Sequence, residues 1–251
     1  MERTVSNFGP SYVARGFELA FQPGVRRYAI IPLLLNILLF AAAIWAVFSY
    51  AGSWIELVLS WLPDYLEWLR YLMWPFLVLA IIVLFAVSFT SVANIIAAPF
   101  NSLLAEKVEE KLTGQRPVDG GVAGMVRDIP RIIGRELQKL MYFFPRFIGF
   151  LLLFLFVPII GQVLWFLFAG WVMTIQYADY PIDNHKIPFK NMRHQLWSIK
   201  GKSLSFGCLV AFLASVPLIN LIMIPVAVAG ATAMWVDHLR DQALAIQPKT
   251  F

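Results

Sequence analysis

The chain has 251 residues, 60% of them hydrophobic and only 14% charged, with a mean hydropathy of +0.72 and a net charge of +5. That composition excludes an ordinary soluble domain and points to a single integral membrane domain. The positive balance requires no nucleic-acid partner, because cytoplasmic loops of membrane proteins are basic; the single cysteine, Cys208, excludes an intrachain disulfide.

Residues 1–27 read as a short cytoplasmic leader in which Phe8, Tyr12, Phe17, Leu19 and Phe21 are spaced for an interfacial amphipathic element. The leader lacks the short apolar core and small-residue cleavage site of a signal peptide. It ends in Gln22-Pro23-Gly24-Val25-Arg26-Arg27-Tyr28, at the first turn of an apolar run over 28–50. At about 1.5 Å per residue that run spans the hydrocarbon core. Two arginines at a helix N-terminus sit against the macrodipole, where unpaired backbone N–H groups favour an anion. Two readings stand: a cytoplasmic anchor beside a transmembrane end, or a site for a multivalent oxyanion.

Residues 51–70 carry Glu56, Asp64 and Glu67 among Trp54, Trp61 and Trp68, the pattern of a periplasmic loop at the interface. A second run, 71–98, crosses back, and Leu103, Leu104, Val108 and Leu112 extend it to 112 as a cytoplasmic amphipathic helix. Gly114 and Pro117 end that helix. Val122, Met125, Val126, Ile129, Ile132, Ile133, Leu137 and Leu140 predict another amphipathic helix across Pro130.

The remaining apolar material is interrupted. The segments 143–177 and 204–236 each split, at Pro158-Ile159-Ile160-Gly161 and at Pro217-Leu218-Ile219-Asn220, into pieces too short to span. Their outer flanks are basic, so each pair enters and returns on the cytoplasmic side as a partially penetrating hairpin, with kinked full-length helices as the alternative. The two segments also repeat: Val157-Pro158 matches Val216-Pro217, and Gln176-Tyr177-Ala178-Asp179 matches Met234-Trp235-Val236-Asp237. Such paired, interrupted segments point to a transport site near the midplane. The expected fold class is therefore an all-α integral membrane protein: two long transmembrane helices, two partially penetrating helical hairpins, and cytoplasmic amphipathic helices.

No catalytic motif is present, and Gly201-Lys202-Ser203 lacks the first glycine of a phosphate-binding loop, because Leu196 stands there. No cofactor is expected. Asp179, Asp183 and His185 offer a metal set on paper, with interfacial solvation the favoured reading and no metal expected. Asn36, Asn94, Asn101 and Asn220 lie in or beside apolar segments, where an amide either bonds a neighbouring helix or lines a permeation path. Glu106 either neighbours that path or pairs with nearby lysines. The membrane segments carry no central carboxylate for a proton relay, which favours channel-like or weakly coupled movement.

The chain resembles the CysZ family of bacterial sulfate permeases across nearly its whole length. The resemblance rests on residues 22–27, on Ile95-Ile96-Ala97-Ala98-Pro99-Phe100-Asn101, on Leu103-Leu104-Ala105-Glu106 and on Asp128-Ile129-Pro130-Arg131. It also rests on the runs from Gln176 to Lys186 and from Gly230 to Asp237. It implies sulfate uptake (with sulfite or related oxyanions as possible cargo) across a bacterial inner membrane for cysteine synthesis. It further implies a homo-oligomer built from dimers in the lipid bilayer, while the charge pattern puts both termini in the cytoplasm and the missing motifs argue against enzymatic activity. Its Gly-hydrophobic-Arg sulfate motif falls on Gly24, Val25 and Arg26, with Arg27 beside it; Val25 replaces the commoner leucine. Local chemistry and resemblance agree on an anion site in which the arginines supply forked donors and the Gly24–Arg26 backbone N–H groups complete the shell. The competing class is a non-transporting membrane regulator or scaffold that senses sulfate.

Overall fold

Leucine, alanine and phenylalanine runs without turn residues form helices, and helices satisfy every backbone group within one segment, as a lipid setting demands. A computed structural model describes residues 8–63, 67–115 and 129–246, and the described residues contain helices and no strand. The helices are α1 (Ser11–Phe21), α2 (Arg26–Leu59), α3 (Glu67–Thr113), α4 (Ile129–Phe156) and α5 (Ile160–Asn184). They continue with α6 (Phe189–Ser198), α7 (Lys200–Ala214), α8 (Pro217–His238) and α9 (Arg240–Ile246).

Two compact units result, one of Ile30–Pro99 and one of Met1–Ala29 with Phe100–Phe251. The first unit holds most of α2 and the apolar part of α3. It leaves Trp45, Phe48 and Phe76 between 66% and 85% exposed, a surface suited to hydrocarbon rather than water. The loop expected over 51–70 is shorter in the structure: α2 continues through Leu59 and α3 starts at Glu67. Tyr50 stacks on Trp54 one turn along α2, so these aromatics extend the helix instead of ending it.

The second unit has the core. Along α8, Val226 to Val236 are all buried, and α1, α5 and α7 pack around them. Small residues set the crossings: a Cβ on Gly230 would meet the Tyr12 carbonyl oxygen of α1, and one on Gly207 of α7 would meet the Gly170 carbonyl oxygen of α5. Glycine at such points lets backbones approach without a hydrophobic drive between helices. The amphipathic leader takes form as α1, with Tyr12 and Leu19 buried against the core while Phe8 and Phe17 stay exposed. The α3 extension buries Leu104 and Val108 and stops at Gly114, whose φ is +72°.

The hairpin arms differ from the sequence expectation in length. Helix α4 runs for 28 residues and α5 for 25, because helicity continues through Pro145, Pro181 and the charged flanks. By length and composition α2, Ile133–Phe156 and Ile160–Asn184 can each cross a membrane, and α6 with α7 could make a fourth, broken span. The interruptions themselves are real. At the first, Ile159 takes φ 65° and ψ −63° while the Ile160 N–H bonds the Pro158 carbonyl at 2.7 Å, a γ-turn of the rarer hand. Val157 and Gly161 N–H groups bond Leu153 and Val157 carbonyls, so this tip needs little help from water. At the second, Pro217 occupies the first turn of α8, where its missing N–H costs nothing. Residues 122–128 of the predicted amphipathic helix lie outside the described residues.

Candidate functional site

The entry to α2 is built by a glycine. Gly24 has φ +89° with open space where a Cβ would stand, so the chain turns there without a side chain in the way. Val25 is 3% exposed and plugs into the core, which fixes the turn, while Arg26 and Arg27 remain exposed. Two of the three backbone donors expected to face an anion are occupied: Val25 and Arg26 N–H groups both bond the Gln22 carbonyl, at 3.1 and 3.0 Å. Among the described residues, the first-turn N–H groups of Gly24 and Arg27 have no backbone acceptor. Arg27 lies over the Tyr28 ring at 4.9 Å and donates to its hydroxyl at 3.1 Å, which flattens the guanidinium against the helix.

Sequence reasoning missed the other wall of this site. A shallow groove of about 260 Å³ is lined by Pro23, Gly24 and Val25 on one side and by Lys107, Glu110 and Lys111 of α3 on the other. Lys111 donates to the Pro23 carbonyl at 3.3 Å, and Lys107 pairs with Glu110 at 2.6 Å. The i, i+4 spacing of Lys107 and Lys111 was the available signal, since it puts both ammoniums on one helix face. The groove is therefore cationic with one internal carboxylate to balance it.

Charges are also buried in two networks of the same unit. Arg131, Arg135 and Lys139, one turn apart on α4, meet Asp179 and Asp183 on α5. Asp179 receives Arg135 Nε at 2.7 Å and Lys139 Nζ at 2.9 Å, and Asp183 receives Arg131 at 2.5 and 3.1 Å. Arg135 also donates to the Ile187 carbonyl. In the second network, Glu109 of α3 is fully buried and its Oε1 meets His185 Nε2 at 2.8 Å and Arg240 Nε at 2.6 Å. The aspartate that matches Asp179 in the repeat, Asp237, receives Tyr12 Oη and Arg15 Nη1 from α1. Asp179 and Asp183 thus face cations and His185 faces Glu109, so the three do not converge as a metal set.

Of the proposed path residues, Asn101, Glu106 and Asn220 have described side chains. Asn101 is buried and donates to the Tyr180 hydroxyl at 3.3 Å, the helix–helix bond of the bland alternative. Glu106 is half-buried on α3. Asn220 is exposed at the first turn of α8, about 22 Å along that helix from Trp235, beside His185. The side chains of Asn36 and Asn94 lie outside those described.

Long apolar helices, glycine crossings and a cationic turn at a helix entry define an α-helical membrane protein able to present charge to an oxyanion. Residues 12–225 match the family model described as Sulfate transporter CysZ/Etoposide-induced protein 2.4. The chain belongs to that family.

Proposed function

We propose that the protein moves sulfate across the inner membrane of a bacterium, in channel-like or weakly coupled fashion, to supply cysteine synthesis. Family membership supports sulfate transport in general. The observation that carries the reading to particular residues is the Gly24 turn: two exposed arginines and open N–H groups at the positive end of a long apolar helix. In this reading Arg26 and Arg27 supply charge and forked donors, Gly24 and Arg27 supply backbone N–H groups, and Lys107 and Lys111 add cations from the facing wall. No catalytic role is assigned to any residue.

The half-depth hairpins belong to the same proposal. Arg146 of α4 precedes the ten residues 147–156, which rise about 15 Å. Lys202 of α7 precedes the twelve residues 203–214, which rise about 18 Å. Half a hydrocarbon core is about 15 Å, so arms anchored by these cations end near the midplane. The polar first half of α4, with its ladder to α5, then sits on the cytoplasmic side with both termini. Assembly as a homo-oligomer built from dimers follows from the resemblance.

Because the arginines stand at a helix entry instead of inside a span, a sulfate-sensing regulator is the second reading. Radiolabelled sulfate flux into proteoliposomes containing only this protein separates them. Flux that collapses in Arg26→Ala/Arg27→Ala supports the permease; bound sulfate without flux rejects it in favour of the sensor.

A further inference from the structure

Helix α6 is polar, ten residues long, and bends 100° from the apolar α7 at Ile199. If α7 dips into a membrane, α6 lies along the surface. Its inner face is fixed by Phe189, Met192 and Leu196, all buried. Its outer face carries Lys190, His194 and Trp197 at i, i+4 and i+7, and Trp197 is 60% exposed. Lys200 continues the stripe, with its ammonium 5.5 Å from the Trp197 ring.

The charge on this face is unbalanced. From residue 184 to 236 the sequence has five lysines and arginines and no aspartate or glutamate. Among the described residues Lys190, Arg193 and Lys200 have no carboxylate partner. The arginines are instead held by aromatics: Arg193 and Arg146 lie 4.2 and 3.8 Å from the Tyr142 ring centroid, and the Tyr142 hydroxyl accepts from Trp171 Nε1. Stacking keeps each guanidinium flat; Arg146 Nη1 donates to the Tyr142 carbonyl at 2.7 Å, and its other terminal nitrogen is left for an acceptor outside the protein. An indole beside ammonium groups on a surface helix is the arrangement that suits the headgroup layer.

We infer that the outer face of α6, with Lys200 and the Tyr142-stacked arginines, binds the phosphate of anionic phospholipid headgroups. The inference rests on the membrane reading but not on the sulfate site. Each lysine near an anionic surface is worth about five-fold in association.

The test reconstitutes the full chain in phosphatidylcholine vesicles with a minor fraction of phosphatidylglycerol and compares spin-labelled forms of both lipids at the protein surface. The wild type should favour phosphatidylglycerol, and Lys190→Gln/Lys200→Gln should lose about five-fold in that preference per charge removed. Lys190→Arg/Lys200→Arg, which keeps charge, should retain it; equal loss in that variant would overturn a charge-based site. An unchanged preference in the glutamine variant would overturn the inference outright. So would its abolition by sulfate beyond the effect of chloride at matched ionic strength, which would make the face a soluble-oxyanion site. Arg26→Ala/Arg27→Ala should keep the lipid preference while losing sulfate flux, and loss of both would move the lipid site to the α2 entry.

Discussion

Removing the Asp179 carboxylate tests whether the charge ladder holds α4 to α5. The side chains of Asp179, Arg135 and Lys139 are 8%, 7% and 5% exposed, so all three charges have left most of their water. Asp179→Ala strands two cations unequally. Arg135 keeps the Ile187 carbonyl at 2.6 Å and Asp183 at 3.2 Å. Among the described residues Lys139 keeps only Glu136, whose side chain is 57% exposed and whose field is screened. Breaking a buried pair from one side costs about 3–5 kcal/mol, and that is the expected loss. Asp179→Asn, which preserves volume, should lose most of the same amount. Adding Lys139→Met to Asp179→Ala should recover about 1–3 kcal/mol by removing the stranded ammonium. Equilibrium unfolding of the purified protein in mixed micelles of rising denaturing-detergent fraction measures each term. A loss under about 1 kcal/mol for Asp179→Ala, or strict additivity in the double variant, would refute the reasoning by showing that water reaches the ladder.

Two further substitutions probe the backbone. A Cβ on Gly207 would stand 1.9 Å from the Gly170 carbonyl oxygen and 2.2 Å from Thr174 Oγ1, so Gly207→Ala should force α5 and α7 apart at about 1–3 kcal/mol. Gly201→Ala, on the same helix with open space around it, should be neutral or stabilising in the same unfolding assay; equal effects would deny the close crossing. Gly24→Ala meets no neighbour but must hold φ +89°, at about 1–2 kcal/mol of strain. Sulfate titration calorimetry should therefore show affinity reduced by up to about 30-fold; unchanged affinity would separate this turn from the anion site.

Much of the fold could be read from local pattern. Gly24 before two arginines, Gly114 after an amphipathic run, and proline at each hairpin break are signals contained within a few residues. The errors came where charge was read as solvation. Arg131, Arg135 and Lys139 look like a wet flank in sequence, so the amphipathic helix through Leu140 and the apolar arm from 143 read as separate elements; the structure joins them in α4, where the four-residue spacing faces these cations to Asp179 and Asp183 across the helix pair. The repeat identified Asp179 and Asp237 as equivalent without revealing their partners, which lie 40 and more than 200 residues away. Glu109 gave no signal either, because its burial depends on His185 and Arg240 arriving from two other elements. The lysine wall of the groove was similarly hidden, since only folding brings residues 107–111 to residues 23–25.

The paired aspartates also explain how the α2 entry is positioned. Asp179 closes the apolar part of one returning helix and is met by the polar half of α4; Asp237 lies in the last turn of the other and is met by α1. Helix α1 thus serves the second repeat as α4 serves the first. It is locked by the Gly16–Gly230 approach, by Arg15 and Tyr12 on Asp237, and by the Tyr12 contact with His238 at 2.9 Å. Only four residues separate its end at Phe21 from the start of α2 at Arg26. Those residues are themselves tied, by Val25 in the core and by Lys111 on the Pro23 carbonyl. The proposed site rests on two long, exposed arginine side chains and needs such a base, because each ordered side chain costs entropy that a wandering backbone would multiply. The leader is therefore a structural part of the second repeat, and its contacts with α8 fix the start of the short connection that leads into the arginine turn.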